Sequence, residues 1–211
     1  MMYCFCMDFP QNEVKKMIPN LAHSTVVKFY ASMRELIYAK VDNFQFQGTV
    51  DGKLDIIEID ESLLGKKRKH NKGAPTEKQW VFGMVERTTR KTYFQIVEDR
   101  TKDTLIPIIK RKALQGSTIY HDDWSAYRRL GEEGYETDVV VHSREFVSAS
   151  GACTNTIEGL WADLKRRIIR SKGLPHSKLQ SFLHEFSYRY RYTKNGSIFE
   201  YFVSDMGVKN D

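Results

Sequence analysis

The sequence predicts an α/β domain in which a mixed β-sheet carries helices on its faces, preceded by a short helical N-terminal region. Strand-like runs first follow one another and then alternate with helical patterns, which is typical of a mixed sheet. Hydrophobic residues make up 41% of the 211 residues and aromatic residues 12%, enough to bury a core. We therefore divide the chain into a helical region at 1–45, the α/β domain at 46–195 and a C-terminal tail at 196–211.

The N-terminal region is expected to contain two helices. Residues 11–18 have helical composition and stop before Pro19, and a second helix begins near Ser24, a favourable N-cap. Val26, Tyr30 and Met33 follow at three-to-four spacing and give this helix one apolar face. The pair is either part of a helix-turn-helix DNA reader or a helical prop packed on the main domain.

Three strands and a helix are predicted next. Residues 54–60 form a dense β run that ends in acidic residues. Residues 80–87 and 92–98 flank a turn-forming segment, which favours a hairpin. A helix with one apolar side is predicted over 102–114.

The second half of the domain alternates between the two kinds of element. Strands are predicted at 117–122 and 137–142, with a short helix at 124–130 between them. Helices are predicted at 156–170 and 177–191. This order is that of the ribonuclease H-like fold, in which the first and fourth strands are neighbours.

Three acidic side chains could meet in such a fold. Asp60 and Asp122 are predicted to end the first and fourth strands, and Glu158 lies early in the helix after the fifth. Open α/β sheets commonly bind ligands outside the carboxyl ends of their strands. Carboxylate oxygens are ligands that Mg²⁺ prefers, and two such ions can promote phosphodiester chemistry. The sequence therefore predicts a carboxylate cage for divalent metal.

A second acid stands beside each strand-end aspartate. Glu61 follows Asp60, and Asp123 follows Asp122. Side chains alternate across a strand, so only one of each pair should face the metals. We choose Asp60 and Asp122, the latter because of its Asp-x-Trp spacing to Trp124. Glu61 and Asp123 are expected to form local hydrogen bonds or to face solvent.

The chain has 33 basic and 27 acidic side chains and a net charge of +6. Its basic residues are concentrated in two places. The first is the segment between the first two predicted strands, which carries Lys66, Lys67, Arg68 and Lys69. The second follows Glu158 on its helix. Seven residues turn through roughly 700°, so Lys165 shares a face with Glu158, and Arg166 extends the basic surface. Both places suit phosphate contacts with DNA.

Other patterns exclude some protein classes. Cys4 and Cys6 have no partners at a familiar zinc spacing, and three cysteines form no even disulfide framework. The apolar first residues are too few for a signal peptide or a membrane span. We expect an intracellular protein with no membrane association, in the nucleus of a eukaryote or the cytoplasm of a bacterium.

The chain resembles the DDE transposases of the Merlin superfamily and their bacterial insertion-sequence relatives. The likeness covers about two thirds of the chain and is carried by residues 59–62, 79–83, 122–127, 142–147 and 154–161, with Lys165 following. The most specific piece is 154–161. Cys153 departs from the pattern, because relatives often carry His at this place, and the region before the core is short.

The resemblance implies an enzyme that cuts at transposon ends and joins them to target DNA with two Mg²⁺ or Mn²⁺ ions. The resemblance assigns the catalytic and metal-binding roles to Asp60, Asp122 and Glu158. It implies that Lys165, which follows them in the chain, contacts DNA, and that Asn155 has an accessory role. The expected partners are double-stranded DNA, at the terminal repeats and at the target, and the chain is expected to form a homo-oligomer. Two alternatives remain open, namely a domesticated or truncated DNA-binding protein without catalysis and a resolvase or ribonuclease H-type nuclease.

Overall fold

The computed structural model describes residues 1–50, 53–65, 78–140, 154–170, 174–193 and 197–207. Its N-terminal region contains the helices α1 (Met2–Cys6), α2 (Gln11–Met17) and α3 (His23–Asp42). The stripe predicted for α3 is buried and continues to its end, through Val26, Tyr30, Met33, Ile37 and Val41. One face of α3 is therefore covered, and it packs against the later helix α6 (His176–Thr193), as expected of a helical prop.

Five strands form the main sheet: β1 (Ile56–Leu64), β2 (Gln79–Glu86), β3 (Thr92–Val97), β4 (Thr118–Asp122) and β5 (Glu136–Val140). A short hairpin of Thr49–Val50 with Lys53–Leu54 precedes it. The strand order is β3-β2-β1-β4-β5. β1 to β3 pair antiparallel, whereas β4 is parallel to both β1 and β5. This confirms the predicted ribonuclease H-like arrangement with the first and fourth strands as neighbours.

Helices cover both faces of the sheet. The helices that follow β3 in the chain are α4 (Lys102–Lys112), α5 (Asn155–Arg170), α6 and α7 (Ile198–Asp205), and a 3-10 turn spans Ser125–Tyr127. One core cluster joins the sheet to α3 and α4 and includes Ile59, Met84 and Leu105. The other joins it to α5 and α6 and includes Val85 and Leu164. Successive side chains of a strand point to opposite faces, so the sheet contributes to both clusters.

The structure differs from the sequence-based expectations at the ends of several elements. β1 continues past Asp60 to Leu64, because β2 still pairs with it there. The predicted helix over 124–130 is only the 3-10 turn. α1 was not predicted, and the segment assigned to a C-terminal tail contains α7, whose Phe202 is buried in the core. Within the described ranges, a helix with the length and apolarity needed to cross a bilayer is not found.

Candidate active site

Asp60 lies in the middle of β1, level with the end of β4. The parallel register pairs Glu58 with Tyr120, so Asp60 and Asp122 stand two residues further along both strands. Asp60 was expected to end its strand, which is wrong, since β1 runs four residues beyond it. The adjacency predicted from the strand order nevertheless follows, because β4 is the strand that ends at this level.

Trp161 on α5 holds the Asp60 side chain. Its indole N–H donates to Asp60 Oδ2 at 2.9 Å, while the backbone N–H of Glu61 donates to Oδ1 at 2.8 Å. Gly83, opposite Asp60 on β2, makes room for this ring, because a Cβ there would lie 2.7 Å from Trp161 Cζ2. Both carboxylate oxygens of Asp60 are thus oriented by fixed donors.

The carboxylate of Asp122 is held by its own turn. Its Oδ1 accepts a hydrogen bond from the backbone N–H of Trp124 at 3.2 Å, and the Trp124 indole donates to the carbonyl of Arg100 at 2.9 Å. Asp123 is exposed to solvent, as expected. The turn thus restrains the side chain of Asp122, whereas that of Asp123 is exposed.

Glu158 lies in the first turn of α5 and is exposed. Its Oε1 accepts a hydrogen bond from the hydroxyl of Thr154 at 3.2 Å. At this helix end the positive pole of the macrodipole favours a negative side chain. Lys165 and Asn155 on the same helix are also exposed, and Arg166 is exposed with an ion pair to Asp163 at 3.5 Å.

Glu58 supports the site, although no sequence pattern singled it out. It is fully buried, its Oε2 accepts the backbone N–H of Ile157 at 2.9 Å, and its Oε1 pairs with Arg87. Glu58 thereby ties the first turn of α5, which carries Glu158, to the strand that carries Asp60. The available signal was an acid two residues before Asp60, since residues at this spacing point to the same face of a strand.

The three acids interact electrostatically. The pKa of Asp60 is raised to about 6, first by burial and then by the charges of Asp122 and Glu158. The hydrogen bonds from Glu61 and Trp161 oppose this rise without cancelling it. Like charges gathered around a buried carboxylate are what a divalent cation would neutralise.

Glu61 does not behave as expected. Its side chain is only 2% exposed, so the expectation of solvent contact is wrong, and within the described residues its Oε1 has no hydrogen-bond partner. Burial is the main cause that raises its pKa to about 8, with Asp60 and Asp122 adding to the rise and Arg100 opposing it. The Arg100 guanidinium lies 4.0 Å from Oε2 of Glu61. This pKa favours the protonated form of Glu61 at pH 7, and alternation along the strand points its side chain to the face opposite Asp60.

His121, beside Asp122, is buried. Its Nδ1 lies 2.6 Å from the carbonyl oxygen of Asp122, which fits the N–H of one tautomer as donor, and burial lowers the pKa of the ring. Within the described part of the chain, its Nε2 has no hydrogen-bond partner. A ring nitrogen that donates to the backbone carbonyl of Asp122 supports the strand end.

The donor chemistry of the site fits a hard divalent cation. Carboxylate oxygens of Asp60, Asp122 and Glu158 are the ligands that Mg²⁺ and Mn²⁺ accept. Burial is the main cause of the raised pKa of Asp60, and the charges of Asp122 and Glu158 add to it. Among the described residues, no group of three or more His, Cys, Asp or Glu side chains is already close enough to hold a metal ion. The basic residues Lys66, Lys67, Arg68 and Lys69, and also Cys153, lie outside the described residues.

Replacement of Asp60 by Asn is expected to stabilise the metal-free protein at pH 7.5. The pKa of Asp60 is about 6 in the folded protein, above its ordinary value of 3.8. The free energy of unfolding therefore falls as the pH rises from the ordinary value through about 6. Relief of about 1 kcal/mol corresponds to roughly 2–4 °C in melting temperature for a domain of this size. Thermal melts in EDTA at pH 7.5 and pH 4.5 test this. The advantage of Asp60→Asn should shrink at the lower pH, and an equal advantage at both would contradict the account.

The chain is similar in sequence and in fold to known proteins. The family described as ISXO2-like transposase domain matches residues 50–191, which include Asp60, Asp122 and Glu158. An uncharacterized transposase-like protein of Haemophilus influenzae is 27% identical over 100 residues, which cover 47% of this chain and 80% of that protein.

Two solved structures are also similar. The HTLV-2 integrase catalytic core domain in complex with magnesium shows 15% identity and a TM-score of 0.37, covering 64% of this chain and 82% of its own. The catalytic core domain of BIV integrase shows 13% identity and a TM-score of 0.44, covering 74% and 98%.

Proposed function

The chain belongs to the ISXO2-like transposase domain family, and we propose that it is a DDE transposase that cuts DNA at transposon ends and joins them to target DNA. The observation that carries this proposal is the position of Asp60. It stands level with Asp122 on the neighbouring strand and is influenced by the charges of both Asp122 and Glu158. Three acids in this relation suit phosphodiester chemistry that depends on divalent metal.

We propose Asp60, Asp122 and Glu158 as the ligands of two Mg²⁺ or Mn²⁺ ions. When bound, such ions activate the attacking oxygen and stabilise the leaving oxygen of an in-line displacement. The protein supplies orientation. Trp161 fixes the carboxylate of Asp60 and Thr154 contacts that of Glu158.

The proposed partner is double-stranded DNA, both at the terminal repeats and at the target. Asn155, Lys165 and Arg166 are exposed along α5, starting in the turn that carries Glu158, where they can reach phosphates. We also propose that the protein acts as a homo-oligomer, since two transposon ends must be joined to one target. It would act where the DNA is, in a bacterial cytoplasm or a eukaryotic nucleus.

Purified protein incubated with a labelled terminal-repeat duplex, a target plasmid and Mg²⁺ or Mn²⁺ tests the proposal. We expect nicks at the transposon end and covalent joining of that end to the plasmid, both lost in EDTA. Binding without either product would instead indicate a transposase-derived DNA-binding protein. Cleavage without joining would indicate a nuclease on the same fold.

Replacing Lys66, Lys67, Arg68 and Lys69 together by Ala should weaken binding to all DNA sequences alike. Each lost phosphate contact should lower the logarithmic salt slope by roughly 0.9 for duplex DNA, because fewer counterions are released. Fluorescence anisotropy over a range of salt concentrations measures this slope. The control variant Lys110→Ala, Arg129→Ala removes exposed cations that pair with Glu133 and Glu132. An unchanged slope in the fourfold variant would show that these side chains do not touch DNA.

A further inference from the structure

Four arginines converge on a cavity that lies apart from the three acids. The cavity has a volume of about 360 Å³ and is lined by α3, α5, α6 and the turn after α1. Its charged lining residues are Arg34, Arg167, Arg170, Arg189, Asp8 and Glu185. Arg170 is twelve residues beyond Glu158 on α5, which places it about 18 Å further along the helix and roughly 120° around it. The cavity is therefore separate from the proposed catalytic centre.

The two acids of the cavity are already engaged. Glu185 accepts hydrogen bonds from Arg34 at 2.7 Å and from Arg189 at 2.8 Å. Burial opposes its ionisation, but the charges of Arg189 and Arg34 outweigh this and lower its pKa. Asp8 lies 3.6 Å from Arg189 and 3.9 Å from Arg167. Four cations facing two anions leave the lining with two positive charges in excess.

Arg189 is fixed as part of the wall. It is 6% exposed, and its guanidinium donates to the carbonyl oxygens of Phe5 and Cys6 at 2.8 Å besides Glu185. Arg34 uses its Nε for Glu185, and its two terminal nitrogens have no hydrogen-bond partner among the described residues. Arg170 is exposed and forms no ion pair within that part of the chain. The cavity thus presents guanidinium groups that can still bind an anion.

The excess charge and the remaining walls together indicate the class of ligand. Guanidinium forks match phosphate oxygens, and a phosphate monoester carries nearly two negative charges at neutral pH. The rest of the lining is apolar and consists of Leu174, Phe182 and Phe186. Phe186 is buried, whereas Phe182 is partly exposed and can pack against a base. A volume of about 360 Å³ lies within the usual range for small-ligand pockets.

We propose that this cavity binds a nucleotide, with its phosphate on Arg34 and Arg170 and its base against Phe182. The nucleotide is either the phosphorylated end of a DNA strand or a free mononucleotide, and the chemistry of recognition is the same. The site rests on these residues alone and does not require the three acids to be catalytic.

Titration calorimetry with adenosine 5′-monophosphate, inorganic phosphate and a short single strand bearing a 5′-phosphate tests the site. Arg170→Ala should weaken binding of the mononucleotide about tenfold, because a charge-assisted hydrogen bond is lost. Phe182→Leu should weaken the mononucleotide and leave inorganic phosphate unchanged. Arg129→Ala is the matched control, since it removes an exposed arginine outside the cavity.

The relative affinities for the strand and the mononucleotide distinguish the two possible sources of the ligand. Tighter binding of the strand than of the mononucleotide assigns the site to DNA ends, and equal binding assigns it to free nucleotides; either result supports the proposal. The absence of saturable mononucleotide binding to the wild-type protein would overturn it. Equal effects of Arg170→Ala and Arg129→Ala would overturn it as well. Because none of these variants alters Asp60, Asp122 or Glu158, failure here and failure of the transposase proposal are distinguishable.

Discussion

Replacing Asp60 or Asp122 by Asn, or Glu158 by Gln, is expected to abolish strand transfer. Each change removes one negative ligand from the proposed cage while conserving size. Loss of a residue that merely supports a metal ligand typically costs about 10–100-fold in affinity or activity, so loss of a ligand itself should exceed about 100-fold. Gel analysis of joined products at fixed Mg²⁺ measures the effect. Circular dichroism establishes whether each variant is folded.

Two neighbouring acids provide matched controls. Asp123→Asn changes an exposed side chain beside Asp122 and should retain most of the activity. Glu61→Gln should also be active at pH 7, because a pKa raised to about 8 favours the protonated carboxyl, which Gln mimics in size and charge. An inactive Asp123→Asn combined with an active Asp122→Asn would show that the wrong acid at the end of β4 has been assigned to the site.

The second large effect is expected for Trp161→Phe. This change keeps an aromatic ring near Phe94, whose centroid lies 4.9 Å from that of Trp161, but removes the N–H that donates to Asp60. Asp60 then loses one of the two donors that orient it. The Mg²⁺ concentration for half-maximal strand transfer should rise about 10–100-fold, as for other partners that hold a metal ligand in place.

Activity at saturating Mg²⁺ distinguishes a loss of Asp60 orientation from damage to the fold. If Trp161 acts only by orienting Asp60, high Mg²⁺ should restore most of the maximal rate of Trp161→Phe. Phe94→Leu is the control, since it perturbs the same packing and leaves the hydrogen bond in place. A Trp161→Phe variant with the metal dependence of the wild type would show that the bond to Asp60 has no role in positioning.

Element order and apolar periodicity predicted most of the fold. The strand order placed Asp60 beside Asp122, because neighbouring parallel strands bring their residues to the same level. The three-to-four spacing on α3 correctly identified its buried face. The buried face of a helix depends on local periodicity, which a single sequence displays directly.

Details that depend on which surface covers a strand could not be predicted. Alternation showed that Asp60 and Glu61 face opposite ways, but it could not show that Glu61 would be buried. The fit of Trp161 against Gly83 is a contact between segments distant in sequence. α1 has only five residues and no side-chain cap, so packing rather than local propensity determines it.

Metal binding by the three acids, measured without DNA, tests directly whether Asp60, Asp122 and Glu158 form one metal site. Thermal melts of the wild-type protein with increasing Mg²⁺ or Mn²⁺ should show a rising melting temperature, because metal that binds only the folded state stabilises it by mass action. Asp60→Asn, Asp122→Asn and Glu158→Gln should each lose most of this rise, whereas Asp123→Asn should keep it. Equal stabilisation of the wild type and all three variants by metal would contradict the claim that these residues form one metal site.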